Sequence, residues 1–492
     1  MRPLQHGSPD VLHALYNCPP GELTAHRARY TRLYNLFRVH YSGKQPQYIV
    51  RAPGRVNLIG EHTDYNGYPV FPMAIDRDFV FVIAAGSGPT IQLRNEEPSF
   101  QTKTFDAGFP LPPFPQGDWG NYVKAAVNGI LEAGLVDPKK ALGFDAIVGG
   151  TIPESAGLSS SSALVVASAL AFLAANNTKV ETRTLADLLA RAERYVGSEG
   201  GGMDQAVSLL AEAGKALKID FFPLRTKPTP LPEGIIFVVC NSLIRAPKSE
   251  SVRYAYNRRV IECRLATALL AKAVEGKTGR TISPKRLADL SAAQLGVDPA
   301  TLDGWAREII GERSLSLIDI AQRLGKTPES LEKEACTLRD RSTLKEPPDG
   351  FRVWNRYRHV VTEAERVHRM ERALQEGNLA EIGSLMNQSH ASCRDDYEIS
   401  CPELEALVAI AREHGALGAR LTGAGFGGCT VNAVPRENIE QFMPGVTAEY
   451  YEGYVKRETE EVFTGYRDLR DVLFPCRASM GAGYWPASEL MG

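Results

Sequence analysis

The chain has no CxxC pair and no Cys/His set at zinc-binding spacing; its eight cysteines (Cys18, Cys240, Cys263, Cys336, Cys393, Cys401, Cys429, Cys476) are scattered. That excludes a zinc module or a dense disulfide framework and predicts reduced, mostly buried thiols in a reducing compartment. Neither sign of charge dominates: the formal net charge over 492 residues is −2. A near-neutral balance gives no electrostatic case for nucleic acid as the main partner. Long hydrophobic runs are absent too. The longest largely apolar stretch, Ala163 to Ala175, is too short to span a bilayer. The polar opening MRPLQHGSPDVLHALYNCPP lacks the apolar segment of a signal peptide. No internal repeat or low-complexity tract occurs. These absences predict a cytoplasmic protein with no membrane partner.

What is present reads as an α+β protein of two domains. The length exceeds a single compact core. Residues 1–45 are polar and helix-prone and are expected to form a cap. Tyr48 to Pro53, Val70 to Ala85, Ala146 to Val148 and Ile235 to Val239 have strand texture. Trp119 to Ala133, 163–175 and Thr184 to Tyr195 have helical texture. From about 250 the chain turns helical, with Arg258 to Val274, Pro284 to Leu295, Leu315 to Ala335 and Arg356 to Glu376 reading as helices. The expected domains are 1–245 and 246–492, with a helical insertion at about 276–345. Within it, Ile320 to Leu331 faintly resembles a helix-turn-helix, but no basic face accompanies it, so a helical hairpin is expected.

Three segments carry chemistry. The first is Gly150-Thr-Ile-Pro-Glu-Ser-Ala-Gly157-Leu-Ser159-Ser160-Ser161-Ser162, which runs into the most apolar helix of the chain. Glycine lets the backbone approach an anion, and the N–H groups of a helix start can hold it. The serines add hydroxyl donors and one candidate Mg²⁺ ligand. A linker or a serine helix cap has similar composition, although a linker would not continue into a long apolar helix.

The second segment, Arg51-Ala-Pro-Gly-Arg55-Val-Asn57-Leu-Ile-Gly-Glu61-His62-Thr-Asp64-Tyr65, packs charged groups between turn glycines. Sugar hydroxyls both donate and accept, so Glu61, His62 and Asp64 are candidate partners, and Arg55 suits a transferring phosphoryl group. A capped surface turn would have the same composition. The third, Glu193-Arg-Tyr-Val-Gly-Ser-Glu-Gly200-Gly201-Gly202-Met203-Asp204-Gln205, presents one carboxylate after three glycines. Asp204 is a candidate proton acceptor beside an arginine, and Glu193 a candidate Mg²⁺ ligand. A glycine turn with a capping aspartate is the structural alternative. Later, Arg420-Leu-Thr-Gly423-Ala-Gly-Phe-Gly-Gly428 lacks the context of a dinucleotide fold and reads as a second glycine wall around a cleft between domains.

Together these segments resemble the galactokinase family, within the superfamily named for galactokinase, homoserine kinase, mevalonate kinase and phosphomevalonate kinase. Gly54 to Gly67 is similar to the galactokinase signature, Gly157 to Ala163 to the phosphate loop, and Leu421 to Cys429 to the third motif. Met386 to Asp395 and Ser400 to Leu404 resemble the long eukaryotic branch, which also holds N-acetylgalactosamine kinase. The resemblance implies a two-domain kinase with its site in the interdomain cleft, using ATP and Mg²⁺ to phosphorylate the anomeric C1 hydroxyl of galactose or a related hexose. It implies Asp204 and Arg55 as catalytic residues, and Arg55, Glu61, His62, Asp64, Gly201, Asp204 and Tyr256 at the sugar. Trp119, Gly157, Ser159, Ser160, Ser161 and Arg245 would lie at the nucleotide, and Ser161 with Glu193 would hold Mg²⁺. A monomer is the expected form. N-acetylgalactosamine kinase and a non-catalytic sugar sensor are the alternatives; Tyr256 leans toward galactose, and the uninterrupted Ser159 to Ala163 toward catalysis.

Overall fold

The computed structural model describes residues 11–197, 200–244, 250–338, 342–457, 466 and 468–491. The expected N-terminal cap is helical: α1 (Val11–Tyr16) and α2 (Pro20–His40) cover one face of the first sheet. That sheet is built from β1 (Tyr48–Asn57), β2 (Pro72–Ala85), β3 (Thr90–Asn95), β4 (Lys103–Asp106) and β5 (Phe144–Gly150). On its other face lie α3 (Gly120–Glu132) and α4 (Ser160–Ala175), backed by α5 (Thr182–Ala192) and α6 (Met203–Leu210). Helix α4 is apolar on every side because it is enclosed on every side, and its residues from Ser162 to Ala175 are all buried.

A hairpin of β6 (Lys215–Asp220) and β7 (Arg225–Pro230) follows. The second sheet contains β8 (Ile235–Asn241), β9 (Gly418–Leu421), β10 (Cys429–Pro435) and β11 (Leu473–Cys476), in the order β11-β8-β10-β9. The boundary expected near 245 falls after β8, yet β8 pairs with β10 and β11. Conversely, β12 (Gly483–Pro486) returns to the first sheet, whose order is β12-β1-β2-β5-β3-β4. A buried ion cluster secures that return. Arg29 and Arg51 both bind Asp78, at 2.6 and 2.5 Å, while Arg51 also donates to the carbonyl of Met480 and the hydroxyl of Ser479. Burial alone would raise the Asp78 carboxyl, but the two guanidiniums outweigh it and hold it at about 2.

Between β8 and β9 the chain is helical. Helix α7 (Glu250–Thr278) leads into α8 (Ala292–Leu295), α9 (Pro299–Ile310), α10 (Leu317–Leu324) and α11 (Pro328–Ala335), followed by α12 (Val353–Glu376), α13 (Leu379–Asp395) and α14 (Pro402–Glu413). The helical hairpin expected at Ile320 to Leu331 is present: Leu315 to Ala335 is two helices, because Gly325 takes a left-handed φ of 66° and Thr327 caps a fresh start with Pro328 at the first turn. One sequence expectation is corrected here. Pro284 to Leu295 is a single 3-10 turn over Leu287–Leu290 followed by the short α8. The α10–α11 hairpin packs on α7, with Lys326 bound to Glu334 and Arg323 donating to the carbonyls of Ile309 and Ile310. Among the described residues no helix is long and apolar enough to cross a membrane.

Candidate active site

Four loops converge from elements far apart in sequence. The serine segment ends β5 and opens α4. Gly157 has a φ of 73°, and Ser159, just before the helix, is left-handed at 59°. The Ser159 hydroxyl is buried without a hydrogen-bond partner among the described residues. The first-turn N–H groups of α4 add donors that no helical carbonyl satisfies. This donor-rich turn fits a phosphate.

The late glycine loop presses against it, as the expected second wall does. A Cβ on Gly423 would lie 2.5 Å from the Gly157 carbonyl oxygen, and one on Gly157 would lie 2.8 Å from that of Thr422. Only glycine allows two backbones this close. The same loop is tied to the sugar segment. Thr422 Oγ1 accepts from the Asn57 N–H at 2.9 Å, and Gly423 N–H donates to Glu61 Oε1 at 2.8 Å.

Arg55, on β1, joins the phosphate loop to the acid. Its Nε donates to Asp204 Oδ1 at 2.8 Å and its Nη1 to the Gly157 carbonyl at 2.5 Å. Asp204 sits in the first turn of α6, which starts at Gly202 with a φ of 106°. The Asp204 side chain is 27 % exposed and that of Arg55 6 %. The guanidinium is therefore held from within while the carboxylate keeps an open side.

Asp64 lies next to this pair. A Cβ on Gly201 would come within 2.4 Å of the Asp64 carboxyl carbon, so glycine lets the two loops meet. Desolvation, followed by the charge of Asp204, raises the Asp64 carboxyl to about 6 despite the N–H groups of Tyr65 and Met203 that donate to it. Glu61 is differently placed. Asn57 Nδ2 donates to its Oε2 at 2.9 Å, Gly423 to its Oε1, and Arg420 lies 3.4 Å away, so protein groups hold both oxygens. Burial raises its pKa as well.

His62 adopts a left-handed φ of 60°. Burial lowers its imidazole to about 3, so the ring is neutral. Its Nε2 lies 3.1 Å from the Ala424 carbonyl, an acceptor only, and therefore carries the hydrogen. Nδ1 then accepts from the Tyr65 hydroxyl at 3.0 Å, and Tyr65 in turn accepts from Tyr397 at 2.6 Å. The Tyr256 ring, on α7, stands 5.3 Å from His62 and 6.2 Å from Tyr65.

Glu193, in the turn after α5, is buried beside the serine loop. Ser162 donates to its Oε2 at 2.7 Å, Gln205 Nε2 reaches the same oxygen, and Ser161 also bonds the carboxylate. Burial, offset in part by Ser162, leaves the carboxyl near 7. Ser160 is the first residue of α4. Trp119 caps α3 and donates to the Gln101 carbonyl at 3.3 Å. Arg245, expected at the nucleotide, lies outside the described residues. Ser162, Gln205, Thr422, Tyr65 and Tyr397 also belong to the site; the first four lie within the sequence segments above, and Tyr397 lies outside them. Gln205 had a signal, its place beside Asp204; Tyr397 had none.

The arrangement is that of a GHMP kinase: the N-terminal domain of that class matches residues 121–212 and its C-terminal domain residues 370–452. The galactokinase galactose-binding signature matches residues 35–85. The galactokinase of Dictyostelium discoideum is 36% identical over 457 residues, spanning 88% of this chain and 90% of that protein. That of Saccharomyces cerevisiae is 32% identical over 465 residues, spanning 83% and 86%. Lactococcus lactis galactokinase, solved in complex with galactose, superposes with a TM-score of 0.70 at 27% identity, covering 92% of this chain and 99% of that one. The chain belongs to the galactokinase family, whose members are ATP-dependent sugar kinases.

Proposed function

We propose that this protein transfers the γ-phosphoryl group of ATP to the C1 hydroxyl of galactose, giving galactose 1-phosphate and ADP. The observation that carries the reading is the position of Arg55. One guanidinium touches both the phosphate loop, at Gly157, and the acid that abuts the sugar loop, Asp204. In the proposed step the C1 oxygen bonds to the γ-phosphorus and the bond from that phosphorus to the bridging oxygen of ADP breaks. Asp204 orients the hydroxyl and accepts its proton. Arg55 neutralises charge on the phosphoryl oxygens, and positioning with electrostatics supplies most of the acceleration.

Asp64 accepts from sugar hydroxyls, while neutral His62 and Tyr256 shape the wall beside them. Ser159, Ser160 and the backbone at Gly157 cradle the phosphates, with Trp119 and Arg245 assigned to the nucleotide. Glu193 and Ser161 would hold Mg²⁺, which supplies charge neutralisation across the phosphates. A single polar carboxylate flanked by serine hydroxyls suits that ion, which takes one or two carboxylates with phosphate and water oxygens. The proposed form is a monomer. The described cysteines are unpaired thiols, which supports a reducing, cytosolic setting.

The test is ADP release across a panel of sugars, with the product position read by phosphorus NMR. Galactose-dependent release with phosphate on C1 is expected. A higher kcat/KM on N-acetylgalactosamine would replace galactose as the substrate, and sugar binding without ADP release would make the protein a sensor.

A further inference from the structure

The insertion at about 276–345 has no part in the chemistry above, yet its first turn lies directly on the sugar loop. Gly67 closes the short turn Asp64–Asn66 with a φ of 82°. A Cβ there would lie 3.0 Å from the Ala288 Cβ and 3.1 Å from the Arg286 Cδ. The inner side of the same loop is the face that Gly201 covers at Asp64. The sugar loop is thus held between the catalytic segment on one side and the insertion on the other.

Arg286 then reaches a second wall. Its guanidinium carbon is 3.3 Å from the centre of the Phe222 ring, at the tip of the β6–β7 hairpin. Phe222 is 53 % exposed and has a left-handed φ of 57°. An exposed aromatic in that conformation gains little from burial, and the stacked cation is its evident partner. The hairpin is part of the site's support. Ile219 exchanges two backbone hydrogen bonds with Val70 at the end of the sugar loop, and Phe221 lies against Gly202 at the start of α6. The turn that carries Arg286 is itself fixed, because Asp289 accepts from the N–H groups of Lys285 and Arg286 while Leu287 and Leu290 are buried in the insertion's core.

We propose that Arg286 is a positioning residue for the sugar site. Through Phe222 and Gly67 it latches the insertion onto the sugar loop and the hairpin, so the insertion sets sugar affinity without touching the nucleotide side. This rests on the galactose reading above. Arg286→Ala and Phe222→Ala each remove the latch at a partly exposed position and leave the buried core intact. Each should raise KM for galactose about threefold to fivefold, the size expected for one partly exposed cation–π contact. KM for ATP should stay at its wild-type value, and kcat within about twofold. Arg286→Lys should restore most of the lost affinity, and the double alanine variant should match either single one.

Hydrogen exchange in the sugar-free protein gives a second readout. Both alanine variants should speed exchange over residues 61–70 and leave 157–163 unchanged. Wild-type KM for galactose together with wild-type exchange over 61–70 would overturn the latch, as would an equal rise in both KM values. A wild-type protein that does not turn over galactose counts against the functional reading, while the exchange comparison still decides the latch.

Discussion

Arg55 and Asp204 are joined through Nε rather than through the fork of the guanidinium, at 2.8 Å, which leaves Nη1 for the Gly157 carbonyl. One side chain therefore sets the distance between the phosphate loop and the catalytic acid. A lysine donates from a single nitrogen and has no fixed plane, so it cannot hold the two partners at the separation that Nε and Nη1 set. Asp204→Asn keeps the shape and a hydrogen-bonding oxygen but loses the charge. It should fold normally and lose about a hundredfold or more in kcat. Near-wild-type turnover by a folded Asp204→Asn protein would remove Asp204 from the mechanism.

Asp64 links stability to pH in an unusual direction for a carboxylate. Its pKa is about 6 in the folded protein against an ordinary 3.8, so between those values the folded state holds the extra proton. Stability from this group falls as pH rises through that window, and its ionised form at pH 7 costs about 2–3 kcal/mol. Asp64→Asn should raise the unfolding temperature at pH 7 while raising KM for galactose by about tenfold. In the wild-type protein, KM for galactose should climb as pH drops from 7 to 5. A flat KM profile, or a lower unfolding temperature for the variant, would contradict this account.

Gln205 and Ser162 grip the same oxygen of Glu193, which turns that carboxylate toward Ser161. Gln205→Leu preserves volume and removes the grip. The Mg²⁺ concentration for half-maximal rate should rise several-fold, and the thermal shift produced by Mg²⁺ with ADP should shrink. Unchanged values for both would show that Gln205 does not orient Glu193.

Gly423→Ala tests the contact between the two glycine walls. The new methyl would meet the Gly157 carbonyl at 2.5 Å on a backbone whose φ is 86°. The walls must part, at a cost of about 1–3 kcal/mol in a denaturant melt, and KM for ATP should rise more than KM for galactose. A stable variant with wild-type KM for ATP would show that the walls tolerate separation.

Much of this site is legible in the sequence, because its chemistry sits in contiguous glycine-punctuated segments. Gly157 to Ser162, Arg55 to Asp64 and Gly200 to Asp204 each show a backbone need beside a polar side chain. The interlocks are not legible in the same way. Glu193, Ser162 and Gln205 meet only after α4, α5 and α6 have packed, and the Tyr65–Tyr397 bond spans most of the chain. Strand β8 reads as an apolar run whichever sheet it joins, so its partnership with β10 and β11 had no local signal. The break between α10 and α11 does have one: Gly325 followed by Thr327-Pro328 is a stop and a start, inside the stretch expected to form a helical hairpin.

The strand at Gly483–Pro486 also constrains how the molecule is made. It is the outer neighbour of Tyr48–Arg51, and Arg51 in the first sheet donates its last hydrogen bonds to Ser479 and Met480. On the ribosome, that edge lacks its outer strand until residue 486 has emerged, and the guanidinium has only its partners within the first sheet, Asp78 and the Ile75 carbonyl, until residue 480 has. The sugar-binding half, although synthesised first, reaches its finished form last, and a frameshift far downstream of every catalytic residue would still leave its sheet open.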